Sequence, residues 1–221
     1  MIEASPVPNI TPMRLLRIPE PFNHDDFLFE PKLDGFRALA HVGDGRCTLV
    51  SRNGNVFKSW PQLGACIAGS VRAQSVILDG EIVCLDAAGK PNFRSLLFRR
   101  EQPFFYAFDL LEIEGQDIRQ LPLLQRKRRL QGIMPKGPSR CLTVEHIAGR
   151  GIEMFGAACA HDLEGIVGKW RHGRYVTEGT ATSWLKIKNP TYSQMEGRHE
   201  LFEPRNASRP QKSRALSLQL A

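Results

Sequence analysis

Within eight residues, Glu30-Pro31-Lys32-Leu33-Asp34-Gly35-Phe36-Arg37, the chain sets an amine, two carboxylates and a guanidinium around a glycine. Taken alone, that run reads equally well as the charged tip of a hairpin. Three further clusters weigh against so plain a reading. Leu78-Asp79-Gly80-Glu81-Ile82, Leu163-Glu164-Gly165-Ile166-Val167 and Trp184-Leu185-Lys186-Ile187-Lys188 each put charge at the end of an apolar run. Strand side chains repeat every two residues, so Lys186 and Lys188 share a face, with Leu185, Ile187 and Trp184 expected on the other. Cations and carboxylates converging on strand ends suit a metal-bound polyphosphate. The chain has no GxxxxGK[ST] loop, so separate lysines on strand–turn elements would hold the phosphates.

The elements that must position these groups are legible from periodicity and punctuation. Residues 1–26 are proline-rich and read as an extended leader lying on the domain. From Phe27, FLFEPKLDGFRALAHV runs apolar on both sides of a Lys-Leu-Asp-Gly break, and CTLVSRNG is a β-branched run closed by Asn-Gly. SWPQLGACIAGSVRA has helical spacing at Leu63, Ile67 and Val71, with Ser59 as its expected N-cap. SVILDGEIVCLD reads as two strands broken at Asp-Gly, and PFFYAFDLLEIEGQDI as an aromatic strand with a turn. PLLQRKRRLQGIM is expected to be a helix with Leu124, Leu130 and Ile133 inward and a basic outer face. GIEMFGAACAHD gives another helix, and EGIVGKW and TSWLKIKN two late strands. The pattern predicts an α+β domain rich in antiparallel strands over 27–190. Residues 191–221 read as a polar, basic tail with Arg205, Arg209, Lys212 and Arg214.

The apolar share of 42% is enough for a proper core. A formal charge of +7 favours a polyanionic partner, with nucleic acid ahead of an acidic membrane surface. Cys47, Cys66, Cys84, Cys141 and Cys159 form no CxxC pair, so reduced thiols are expected, with Cys84 and Cys159 as small core residues. Neither a signal peptide nor a membrane span is visible, which predicts a soluble, cytoplasmic protein.

EPKLDGFR resembles the nucleotidyl motif KxDGxR of ATP-dependent DNA ligases, RNA ligases and mRNA capping enzymes. The family's other motifs follow in order: SRNG, LDGEIV, FYAFDLL, EGIVGK and SWLKIKNP. The phrases FEPKLDGFRALAHV and LVSRNG are most similar to the ligase domain of bacterial ligase D, an end-joining enzyme, and its small relatives. The resemblance implies an ATP-grasp-like nucleotidyltransferase fold of antiparallel sheets flanked by helices. It implies that Lys32 takes AMP from ATP as a phosphoramidate, helped by Lys186 and Lys188 at the α-phosphate. Glu164 and Asp34 would hold Mg²⁺ or Mn²⁺. Glu30 would accept from the adenine amino group, Arg37 and Glu81 bind the ribose, and Phe108 stack on the purine. Arg52 would meet the nucleotide or a 5′-phosphate. As residues, Phe108 reads equally as core and Arg52 as a solvated turn.

The implied partner is DNA with 5′-phosphate ends or nicks, met by a monomer in the cytoplasm, associated with the bacterial nucleoid. Beyond Pro190 no OB-fold domain is legible, since the remaining residues do not read as a five-stranded barrel. An OB-domain or end-joining protein is therefore an expected partner, and complete nick sealing an open expectation. In the run Arg126-Lys127-Arg128-Arg129, the arginines Arg126, Arg128 and Arg129 are either phosphate-backbone contacts or a solvated helix face. An RNA ligase or a catalytically silent nucleic-acid-binding module stands as the alternative.

Overall fold

The computed structural model describes residues 10–179 and 181–195. In chain order the elements begin with β1 (Leu16–Arg17), β2 (His24–Pro31), β3 (Phe36–Gly43), β4 (Arg46–Ser51) and α1 (Pro61–Ser70). Next come β5 (Val76–Val83), α2 (Phe93–Leu97), β6 (Phe104–Ile113), β7 (Gln116–Asp117) and α3 (Leu123–Ile133). The last are β8 (Cys141–Thr143), β9 (Ile147–Gly149), α4 (Gly151–Ala160), β10 (Gly165–Trp170) and β11 (Trp184–Lys188). A 3₁₀ turn at Ser193–Met195 follows. The strands form two sheets, β1-β11-β10-β2-β9 and β4-β3-β5-β6-β7, with β8 joined to β6. All pairings are antiparallel except β1 with β11 and β6 with β8.

Alternation along each strand divides the core in three. In the first sheet Phe29, Ile166 and Ile187 face α4, where Ala158 completes a small cluster. Their neighbours Leu28, Val167 and Trp184 lie in the space between the sheets. From the second sheet, Leu39, Ile77 and Leu111 enter the same space. Ala38, Ala40, Val76, Leu78 and Leu110 face away, toward α1 and the C-terminal half of α3. Charged side chains interleave with these apolar ones: in register, Glu30 and Lys186 lie level with Val167, and Lys169 lies level with Leu28 and Trp184. In the second sheet Arg37 precedes Leu39 and opposes Glu81.

Several local expectations are corrected. The Asp79-Gly80 pair does not break a strand, because β5 runs through it. A Cβ on Gly80 would lie 2.5 Å from Phe105 Cζ and 2.6 Å from Tyr106 O, so the glycine serves the close approach of β6. Pairing shifts there: Asp79 opposes Asp109 and Gly80 opposes Ala107, which leaves Phe108 as the extra residue. Such a bulge re-aims a side chain. The cap of α1 is Trp60, with no side-chain hydrogen bond, and Pro61 occupies the first turn, where a missing N–H costs nothing. Cys84 is buried as expected, but Cys159 is only half-buried. Part of the leader is built in: Met13 is buried between the sheets and β1 lies beside β11. The tail's Arg205, Arg209, Lys212 and Arg214 fall outside the described residues. Among the described residues, no helix is long and apolar enough to cross a membrane.

Candidate active site

Lys32 lies on the link between β2 in one sheet and β3 in the other, where three backbones converge. Its N–H donates to Gly165 O at 2.9 Å. A Cβ on Gly165 would sit 2.0 Å from Ile187 O, and one on Gly35 2.1 Å from Ile82 O, so only glycine allows both approaches. Gly165 also holds φ +140°, which L side chains rarely adopt. Lys32 Nζ donates to Glu164 Oε2 at 2.6 Å, and Lys188 Nζ stands 3.4 Å from Glu164 Oε1. Buried Asp34 accepts from the Tyr192 hydroxyl at 2.9 Å. With Glu81 and Met195 these groups line a lobe of ≈ 270 Å³.

A second lobe of ≈ 200 Å³ opens on the other side of Lys32 and Glu81, which line both. Phe108 and Trp184 pack edge to face at its apolar wall, 5.8 Å between centroids. Lys169 Nζ lies 4.1 Å from each ring centroid, a cation–π geometry. Glu30 is 2% exposed, its Oε1 2.5 Å from Lys127 Nζ and its Oε2 2.7 Å from Lys169 Nζ. Neither contact is aligned as a hydrogen bond, so Glu30 Oε1 and Lys169 Nζ are held by ion pairing. Arg37 is largely committed. It pairs with Asp79 through Nε (3.0 Å) and Nη2 (2.6 Å), and donates to Met13 O at 2.6 Å. A guanidinium has five N–H groups. Its second Nη2 hydrogen reaches toward Tyr175 Oη at 3.4 Å, so one Nη1 hydrogen remains for a ligand. Lys186 and the exposed turn residue Arg52 also line this lobe.

The electrostatics follow from burial working against neighbours. Burial pushes the Glu81 carboxyl up to about 8; Lys32 and Arg37 pull it down, while Glu164 and Asp79 add to the rise. Burial also raises Glu30, but Lys127 and Lys169 outweigh it and the carboxyl ends below its ordinary value. Lys169 falls to about 8, first through burial, with Lys127 adding and Glu30 opposing. Lys186 is lowered by burial, then by Lys32 and Lys188. A carboxyl whose folded pKa lies above its unfolded value binds more protons when folded. Its stability contribution is therefore lost as pH rises from about 4.5 to about 8. Glu81→Gln should flatten the fall in unfolding free energy across that window relative to wild type, measured by urea titration at several pH values. An unchanged slope would remove this reading of Glu81.

Of the predicted site residues, Lys32, Asp34, Glu81, Glu164 and Lys188 meet in one lobe, and Glu30, Arg37, Arg52, Phe108 and Lys186 in the other. Arg126 is corrected. It is fully buried, bidentate to Asp109 (2.8 and 2.7 Å), and donates to Leu121 O and Gly173 O, so it cannot reach a DNA backbone. Arg128 and Arg129 are exposed. Trp184 is corrected as well. It shares the parity of Lys186 and lines the lobe with it, which a strict count by two along β11 would have shown. Lys169, the last residue of EGIVGK, and Lys127, inside the basic run of α3, join the site although the sequence assigns neither a role there. Among the described residues no group of three His, Cys, Asp or Glu could hold a metal ion. Glu164 and Asp34, two hard oxygen donors of the kind divalent ions take, line the same lobe.

A family model described as "ATP dependent DNA ligase domain" matches residues 14–188. The multifunctional non-homologous end joining protein LigD of Pseudomonas aeruginosa is 31% identical over 193 residues, covering 83% of this chain and 22% of that protein. The prophage-derived DNA ligase-like protein LigB of Bacillus subtilis is 29% identical, covering 84% of this chain and 70% of its own length. The solved structure of mycobacterial DNA ligase D complexed with ATP and MES superposes with a TM-score of 0.71 at 30% identity. That likeness covers 81% of this chain and 60% of the ligase D chain. This chain spans about a fifth of the P. aeruginosa relative's length, and more of the others. With a lysine held between two lobes of a cleft and a match that runs through every strand of both sheets, the chain belongs to the ATP-dependent DNA ligase domain family.

Proposed function

We propose that this domain captures AMP from ATP on Lys32 and passes it to a 5′-phosphate at a nick or break in DNA. The observation that carries the reading is the place of Lys32, among the described residues the one amine that lines both lobes. The purine would enter beside Phe108 and Glu30, with Arg37 and Glu81 at the ribose. Its phosphates would pass Lys32 toward Lys186 and Lys188. Lys32 Nζ attacks the α-phosphorus: a P–N bond forms, the P–O bond to pyrophosphate breaks, and pyrophosphate leaves. An oxygen of the DNA 5′-phosphate then attacks the same phosphorus and releases the lysine.

Nucleophilic attack needs the Lys32 amine free to reach phosphorus, whereas Lys32 Nζ donates to Glu164 Oε2 at 2.6 Å. A divalent ion, Mg²⁺ or Mn²⁺, held by Glu164 and Asp34 would neutralise phosphate charge. In holding that ion, Glu164 would let go of Lys32 and leave its amine free for attack. The Lys186 and Lys188 ammonium groups stabilise the charge that grows on the phosphate oxygens.

With Mg²⁺ and α-labelled ATP, the protein should form an acid-labile covalent AMP adduct that nicked DNA discharges. Absence of an adduct with retained, salt-dependent DNA binding would instead make it a silent binding module, and discharge by nicked RNA alone an RNA ligase. Supplying pre-adenylated nicked DNA then asks whether the chain seals a nick unaided or needs an OB-domain or end-joining partner. Arg128 and Arg129 supply phosphate contacts in this reading. Replacing both with alanine should weaken binding to any DNA sequence and lower the slope of log K against log salt by about one for each phosphate left without its arginine. An unchanged slope would leave them as a solvated face.

A further inference from the structure

Helix α3 carries a lysine that lines neither lobe yet touches both sides of the nucleotide cleft. Lys127 is 3% exposed. Its Nζ lies 2.5 Å from Glu30 Oε1, on β2 of the first sheet, and donates at 3.2 Å to the carbonyl oxygen of Phe108, on β6 of the second. These are the carboxylate and the aromatic that the proposed function sets against the purine. Phe108 is the extra residue of a bulge, so ladder pairing alone does not fix its orientation. Glu30 has its other oxygen paired to Lys169, which lies over the rings of Phe108 and Trp184. A carboxylate with a lysine ion-paired at each oxygen is drawn from both sides and turns less freely than one paired at a single oxygen.

The neighbouring residue of α3 makes the arrangement rigid. Arg126, one position earlier, is locked to Asp109 on β6 and to Gly173 O in the loop between β10 and β11. The helix therefore cannot slide or rotate without breaking a buried ion pair, and Lys127 is delivered to a fixed point between the sheets.

We propose that Lys127 is a positioning residue for purine recognition, holding the Glu30 carboxylate and the Phe108 backbone in the mutual geometry that accepts adenine and rejects guanine. It acts without touching the nucleotide. A carboxylate drawn from both sides accepts from the adenine 6-amino group and repels the 6-oxo group of guanine. The same carboxylate turning more freely discriminates less, because each base then finds an orientation it tolerates.

The inference rests on the adenylation reading, and one assay separates the two. Initial rates of adduct formation are measured over a range of ATP and of GTP concentrations, for wild type, Lys127→Met, Glu30→Gln and the double variant. Lys127→Met should raise the KM for ATP on the order of tenfold and lower the ATP-to-GTP ratio of kcat/KM by a similar factor. The rate at saturating ATP should stay within about twofold, since Lys127 meets no reacting atom. In the Glu30→Gln background the same change should cost little further discrimination, because its target is already gone. Lys127→Gln, which keeps a polar group in the buried position, carries the test if the methionine variant does not fold. A folded Lys127 variant with wild-type KM and nucleotide preference overturns the proposal. So does a fall in saturating rate with KM unchanged. No adduct on the wild type overturns the parent reading instead.

Discussion

Lys32→Ala should give a folded protein that takes up no label from α-labelled ATP, a loss of at least about 10⁴-fold in adduct formation. The effect is chemical rather than structural. Lys32 is a fifth exposed and its partner Glu164 keeps Lys188 at 3.4 Å, so the substitution should cost only about 1–2 kcal/mol of stability. Lys32→Arg separates charge from nucleophilicity. A guanidinium can retain the pair with Glu164, but it does not deprotonate in a protein and so offers no lone pair to phosphorus. It should be as silent as alanine while melting close to wild type. Label retained on either variant would move the nucleophile elsewhere and leave Lys32 as an ion-pair partner.

The second large effect concerns stability. Arg126→Ala should lower the unfolding free energy by about 3–5 kcal/mol, because it leaves Asp109 charged and buried without its partner. It also strips donors from Leu121 O and Gly173 O. For a domain of this size that is a fall of roughly 10 °C in melting temperature. Arg128→Ala and Arg129→Ala should stay within about 0.5 kcal/mol of wild type, since both side chains are in solvent. Replacing the whole pair, Arg126→Met with Asp109→Leu, should recover most of the loss by removing both buried charges together. A calorimetric scan decides. Equal melting temperatures for the Arg126 and Arg128 variants would contradict the buried pair.

Much of this site could be read from residue types because chemistry and strand period speak together there. Lys32, Glu81, Glu164, Lys186 and Lys188 each stand where an apolar run meets a charge, and the structure gathers them as neighbours of two lobes. Helix α3 was misread because charge was taken as a sign of solvent. Its inward stripe is Leu123, Arg126, Lys127 and Leu130, the i, i+3, i+4, i+7 series, with two cations in the middle. Position along the helix pointed to them, while hydropathy concealed them. The partners that make their burial tolerable, Asp109 and Glu30, lie on β6 and β2, and no local pattern announces such a pairing. Gly80 misled in a similar way. A glycine beside an aspartate signals a turn, but here it makes room for Phe105 of the neighbouring strand. Tyr192 and its bond to Asp34 span 158 residues and left no trace in local spacing.

The parallel pairing of β1 with β11 sets Leu16 opposite Leu185 and Arg17 opposite Lys186. The stretch matched by the ligase family, 14–188, therefore starts and finishes on adjacent strands. Because the pair is parallel, the chain enters the seam at one end and leaves it at the other, so flanking segments depart in opposite directions from one edge of the sheet. Lys186 belongs to the closing strand. Any fusion that frays the seam between β1 and β11 disturbs the cleft, so grafting sites belong outside 14–188 and not within its first turns of chain.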